Sequence, residues 1–160
     1  IHRKSSTWMP SMTYEALPSR DNFAHYLPIQ TRWNDMDRYG HVNNMVYYGY
    51  FDTVVTDYIM RVGGMYPNED VIGALVVESK CRYHRPIAFP SIIQAGLRVG
   101  KLYRSSVCYE IGIFCDEDPA LAADGYFVHV YVDKTTMRPE SIPDPIRPAL
   151  ARLVASTEND

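Results

Sequence analysis

The stretch from Thr31 to Gly64 limits what this chain can fold into more than any other. It opens as a strand and passes through a polar turn holding Asp35, Asp37, Gly40, His41, Asn43 and Asn44. It then runs through a Tyr-, Val-, Met- and Phe-rich segment that stops at Gly63-Gly64. From 43 to 62, Tyr47, Tyr50, Phe51, Val54, Val55, Tyr58, Ile59 and Val62 recur at three- and four-residue spacing. That spacing predicts a helix with one broad apolar face, and Asp52, Thr53, Thr56 and Asp57 fill the narrower opposite stripe. Such a helix is about 30 Å long at 1.5 Å per residue. One helix with so wide an apolar face needs a large sheet to cover it.

The rest of the chain supplies that sheet. Tyr26–Trp33, Ile72–Tyr83, Ile92–Leu102, Ser106–Cys115 and Ala122–Asp133 read as strands. Between Ser106 and Cys115, for example, Val107, Tyr109, Ile111 and Ile113 alternate with Cys108, Glu110, Gly112 and Phe114. Gly96 and Gly100 predict bends or bulges. The connections 101–105 and 116–121 are short, as antiparallel hairpins require. Strand, long helix, then four strands is the order of an α+β fold in which one antiparallel sheet wraps one central helix. This body spans 25–136. Residues 1–24 keep no sustained period and read as an irregular N-terminal arm, with Trp8 and Tyr14 as its candidate anchors. Residues 137–160 hold four prolines between Pro139 and Pro148, so they leave the sheet, and a short helix is expected at 149–154.

Composition narrows the function classes. A chain of 160 residues fits one domain with a proper core, and a net charge of −3 argues against nucleic acid as a partner. The three Cys cannot all pair within the chain and show no metal-ligand spacing, which points to a reducing compartment. No apolar run approaches the roughly 20 residues a membrane span needs. The expected location is cytoplasmic. A mitochondrial or other organellar one stays open, because a start at Ile1 is compatible with removal of a targeting segment. GxSxG, Walker and dinucleotide-loop patterns do not occur.

The polar turn carries the chemistry. The first turn of a helix leaves N–H groups without partners and bears partial positive charge. Read from the residues alone, Asn43 or Asn44 caps the helix and Asp35 and Asp37 shape the turn. The same parts can also act on a carbonyl. Free N–H groups can stabilise a developing oxyanion, and an acid just ahead of them can attack or activate water.

The turn resembles the entry to the central helix of hotdog-fold acyl-CoA thioesterases, the 4-hydroxybenzoyl-CoA thioesterase family. The family's D-x-D-x-x-G-H-V-N-N-x-x-Y-x-x-x-F run is filled here at every position by Asp35, Asp37, Gly40, His41, Val42, Asn43, Asn44, Tyr47 and Phe51. The resemblance implies a hotdog domain that hydrolyses acyl-CoA. It makes Asp37 the nucleophile or general base and the Asn44 backbone N–H the donor to the carbonyl oxygen. His41 and Asn43 become members of the site or of its scaffold, while Asp35 is expected to be structural. Lys101, Arg104, Ser105 and Ser106 become candidate CoA contacts. It implies no metal and no cofactor beyond the CoA of the substrate, and a homodimer or homotetramer with sites at the subunit seam. The alternative is a non-catalytic hotdog domain that binds acyl-CoA or acyl groups, or a scaffolding oligomer. The intact Asp37 favours the enzyme.

Overall fold

A computed structural model describes residues 16–66 and 69–154. Its elements are β1 (His25–Gln30), α1 (Val46–Arg61), β2 (Ile72–Tyr83), β3 (Ile92–Leu102), β4 (Ser106–Cys115), β5 (Leu121–Asp133) and α2 (Arg147–Ala151). The strands form one five-stranded antiparallel sheet in the order β1-β3-β4-β5-β2. The sheet curls around α1, which is the α+β hotdog arrangement. Strand β1 ends at Gln30 rather than Trp33. Thr31 turns away, its N–H and hydroxyl both donating to the Ser91 carbonyl, and a 3-10 turn follows at Trp33–Asp35.

Helix α1 buries Tyr47, Tyr50, Phe51, Val54, Val55, Tyr58 and Ile59. They meet Leu97, Val99, Val107, Tyr109, Ile111 and Ile113 from the inner face of the sheet. Each such side chain taken from water contributes about 1.5–3 kcal/mol, so this face outweighs any local helix preference. Val62, expected on the buried face, lies past the last helical turn and is exposed. The helix stops where Gly64 takes a φ of +69° and donates its N–H to the Met60 carbonyl.

The C-terminal segment packs into the same core through Ile142, Ile146, Ala149, Leu150 and Leu153. It is tied down by Tyr58, whose hydroxyl donates to the Ala149 carbonyl at 2.6 Å, and by the Val99 N–H, which donates to the Leu153 carbonyl. The two strand glycines serve different ends. Gly100 sits at a register shift between Val99 and Lys101, a bulge as expected. Gly96 lies flat in the ladder and leaves room for two rings, since a Cβ there would come within 2.8 Å of Phe23 and 2.9 Å of Tyr26. Phe23, Phe114 and Leu121 make a small second cluster. Trp8 and Tyr14, the expected anchors of the arm, lie outside the described residues; Phe23 and Arg20 hold its later part, with Arg20 donating to the Asp116 and Asp118 carbonyls.

The sheet has two ends. One gathers the β1–α1 loop, the β2–β3 loop and the β4–β5 turn. The other gathers the α1–β2 connection, the β3–β4 hairpin and the segment after β5.

Candidate active site

The β1–α1 loop is a tight hairpin laid across the first turn of α1. Asp37 and His41 close it through the Asp37 N–H to the His41 carbonyl (2.8 Å), and Gly40 turns it with a φ of +79°. Met36 and Val42 pair across its base, and the Val42 N–H donates to the Ile87 carbonyl at 2.7 Å. One carboxylate oxygen of Asp37, Oδ1, accepts the Tyr39 N–H at 2.8 Å. No donor among the described residues engages Oδ2. Asp37 is thus oriented by one oxygen and available through the other.

Asp35 plays a different part. It is buried, and its carboxylate accepts from the Arg32 N–H (2.8 Å), the Arg32 guanidinium and the Tyr50 hydroxyl (2.9 Å). Burial alone would raise its pKa, but the backbone, Tyr50 and Arg32 bonds together hold it below the usual carboxylate value. Its own carbonyl accepts the Asn43 N–H at 2.8 Å. Asp35 therefore anchors the loop to both ends of the turn, as a structural acid.

The helix begins at Val46, three residues later than the apolar spacing predicts, because Asn43, Asn44 and Met45 form its capping turn. Asn43 is the cap: its Oδ1 accepts the Met45 N–H at 3.1 Å and its carbonyl accepts the Val46 N–H at 2.9 Å. Among the described residues nothing accepts the Asn44 N–H. That group sits at the positive end of α1.

Asp37, His41, Val42, Asn44, Tyr47, Tyr83, His84, Arg85 and Pro86 line one open depression of about 360 Å³. Asp37, His41 and Asn44 are thereby brought together. The contact between His41 and Asp37 runs through the His41 backbone, while its exposed side chain lies on the rim. Four of the lining residues follow or end β2, and the turn motif gives no sign of them. Tyr83 donates its hydroxyl to the Asn44 carbonyl at 2.8 Å and packs edge-on against Tyr47, ring centroids 5.0 Å apart. Burial pushes the Tyr47 hydroxyl up to about 12, so it stays protonated at neutral pH. His84 Nε2 lies 2.8 Å from Asp124, which also pairs with Arg82 at 2.6 Å.

The candidate CoA contacts lie elsewhere. Lys101, Arg104, Ser105 and Ser106 belong to the β3–β4 hairpin, at the end of the sheet opposite Asp37 in the same chain. Arg104 there donates to the Ser141 hydroxyl at 2.9 Å. A second depression, about 400 Å³, lies away from the Asp37 loop beside residues 16–23. The charged pairs Arg98–Glu110 and Arg82–Asp124 line it. Among the described residues no group of three His, Cys, Asp or Glu side chains is arranged to hold a metal ion. No described helix is long and apolar enough to cross a membrane.

A curled antiparallel sheet, one central helix and an acid-bearing loop on that helix's N-terminus define a hotdog protein with its candidate site at the start of α1. A family model described as the Thioesterase-like superfamily matches residues 31–150, and the chain belongs to that superfamily. Among solved structures it is similar to the PA5185 protein of Pseudomonas aeruginosa. The two are 45% identical with a TM-score of 0.86, over 88% of this chain and 99% of that one. It is also similar to a Thermus thermophilus thioesterase complexed with coenzyme A and Zn, at 28% identity and a TM-score of 0.71, over 83% of this chain and 96% of that one. A 1,4-dihydroxy-2-naphthoyl-CoA thioesterase from Synechocystis shares the fold at 14% identity and a TM-score of 0.73, over 79% of this chain and 94% of that one. No curated protein matches the chain.

Proposed function

We propose that this chain hydrolyses an acyl-CoA thioester to a free carboxylic acid and CoA. The observation that carries the reading is the pairing in one cleft of Asp37 Oδ2, which has no donor among the described residues, and the Asn44 N–H, which has no acceptor among them. A thioester carbonyl seated between them has an attacking group on one side and a charge-stabilising donor on the other. Asp37 attacks the carbonyl carbon directly or takes a proton from the attacking water. By the first route the thiolate leaves behind an acyl–Asp37 anhydride, which water then cleaves to the free acid. By the second, water adds to the carbonyl, the C–S bond breaks, and the proton taken by Asp37 passes to the leaving thiolate. The Asn44 N–H, reinforced by the partial charge of α1, meets the oxyanion. Asn43 and His41 support this geometry, one as cap and one by closing the loop. In this reading the chemistry uses the residues named, one water and the substrate, with CoA as the leaving group. The CoA carried by the Thermus thermophilus relative supports the substrate class.

The working unit in this reading is at least a homodimer. β2 is an edge strand of twelve residues whose middle is exposed, including Leu75, Val76 and Val77. Edges of this kind are covered in native proteins. Antiparallel pairing of β2 with β2 of a second copy sets the second copy's far end beside this chain's Asp37 end. The β3–β4 hairpin with Lys101, Arg104, Ser105 and Ser106 then serves the CoA of the neighbouring site rather than its own.

The test is thiol release from a panel of acyl-CoAs by wild type and Asp37→Asn. Turnover by wild type that falls by about 10² or more in a folded variant is the expected result. Saturable binding without turnover by wild type moves the protein to the acyl-binding alternative. No binding at all moves it to the scaffold.

A further inference from the structure

We infer that Tyr83, which neither the turn motif nor the family match assigns, is a positioning residue for the oxyanion donor; the assignment rests on the thioesterase reading. The peptide between Asn44 and Met45 is held at both its polar atoms. Its carbonyl oxygen accepts the Tyr83 hydroxyl at 2.8 Å and its N–H donates to Asn43 Oδ1 at 3.1 Å. The preceding peptide, which carries the Asn44 N–H, is held at its carbonyl alone, by the Val46 N–H at 2.9 Å. The peptide before that is held through the Asn43 N–H on Asp35. Asn44 lines the cleft, and among the described residues its N–H is the one unbonded donor of three consecutive peptides whose orientations are otherwise fixed.

Two soft dihedrals join the 43–44 and 44–45 peptides, so swinging one plane is coupled to counter-rotation of the other. The Asn43 cap sits on the same turn and moves with it. Tyr83 reaches the turn from the end of β2, 39 residues away in sequence, and so ties it to the sheet. The Tyr83 ring is held independently of its hydroxyl by the edge-on contact with Tyr47. Cys81, two residues back on the same face of β2, also lies beside that hydroxyl, as do Tyr47 and Tyr48. Catalytic donors count only when they are aimed before the charge develops. An Asn44 N–H that wanders retains the ability to bind substrate but meets the oxyanion less often.

Tyr83→Phe keeps the ring contact and deletes the bond. Its kcat on acyl-CoA is expected to fall about tenfold while KM stays within about twofold and the melting temperature holds. Amide hydrogen exchange at Met45, whose N–H belongs to the peptide Tyr83 holds, is expected to quicken about tenfold in the same variant. Unchanged kcat overturns the assignment, as does a rise in KM at constant kcat, which would make Tyr83 a CoA contact. If wild type hydrolyses no acyl-CoA, the thioesterase reading fails on its own. The exchange experiment still decides whether Tyr83 orders the turn, and unchanged Met45 exchange sinks that too.

Discussion

At the scale of single residues, two buried titratable groups contribute to how the protein meets acid, and they act in different windows. Asp35 keeps its charge because Arg32 and Tyr50 surround it, so its folded pKa lies below the unfolded value near 3.8. A depressed carboxylate stabilises the fold fully above that value, and the contribution is lost as pH falls through the folded pKa. Asp35→Asn removes this dependence and leaves Arg32 and Tyr50 with a poorer acceptor. The expected cost at neutral pH is about 2 kcal/mol, read by denaturant unfolding. His129 works higher up the scale. Burial against Phe127 and Tyr109 lowers its pKa to about 4, with Asp52 opposing the shift only partly. The unfolded chain then binds the proton first, so stability is complete above about 6.5 and falls as pH drops toward 4. Its Nε2 is buried and has no hydrogen-bond partner among the described residues. His129→Phe is therefore expected to hold or raise stability at pH 7 and to flatten the pH 6.5–4 limb. A variant that keeps the limb would assign it to another group.

At the scale of elements, α1 meets the β5–β2 pair at one point where the backbone leaves no room for a Cβ. Gly125 pairs with Cys81, and a Cβ there would run into the Lys80 carbonyl and come within 2.7 Å of the Phe51 ring. Backbone cannot yield as a flexible side chain does, so Gly125→Ala is expected to cost about 3 kcal/mol or more and to lower the melting temperature by several degrees. The strands were open to reading from sequence. β2, β3 and β4 have the predicted ends, because alternation and the flanking Pro, Gly and polar residues are local signals. The first turn of α1 was less open, since apolar spacing begins before the hydrogen bonds do, and Asn43 spends its side chain on a cap. The candidate site divides the same way. Asp37, His41 and Asn44 lie within eight residues of one another and share a local motif. Tyr83, His84 and Arg85 reach the cleft only because β2 ends beside α1. No local pattern around the β3–β4 hairpin tells which end of the sheet it will occupy.

At the scale of the whole molecule, the edge of β2 decides whether one chain can work alone. Ala74 through Lys80 is exposed along the strand, and Val77, at the register shift against β5, is 60% exposed. An open apolar edge of this length templates pairing with any other strand unless its own twin covers it. Val77→Lys places a charge in the middle of that edge while leaving the β2–β5 ladder on the other side untouched, so the single chain should still fold. Light scattering is expected to show wild type as a dimer or larger and Val77→Lys as predominantly monomer at micromolar concentration. In the proposed reading the catalytic groups, Asp37 and the Asn44 N–H, belong to one chain, whereas the basic hairpin nearest the cleft would come from the second. The monomer is therefore expected to hydrolyse a short N-acetylcysteamine thioester at close to the wild-type rate. Its KM for acyl-CoA should rise about tenfold or more, since the phosphates lose their Arg and Lys contacts. A monomeric wild type would remove the reason for the division. A monomeric variant with unchanged KM for acyl-CoA would place the nucleotide on the chain that holds Asp37.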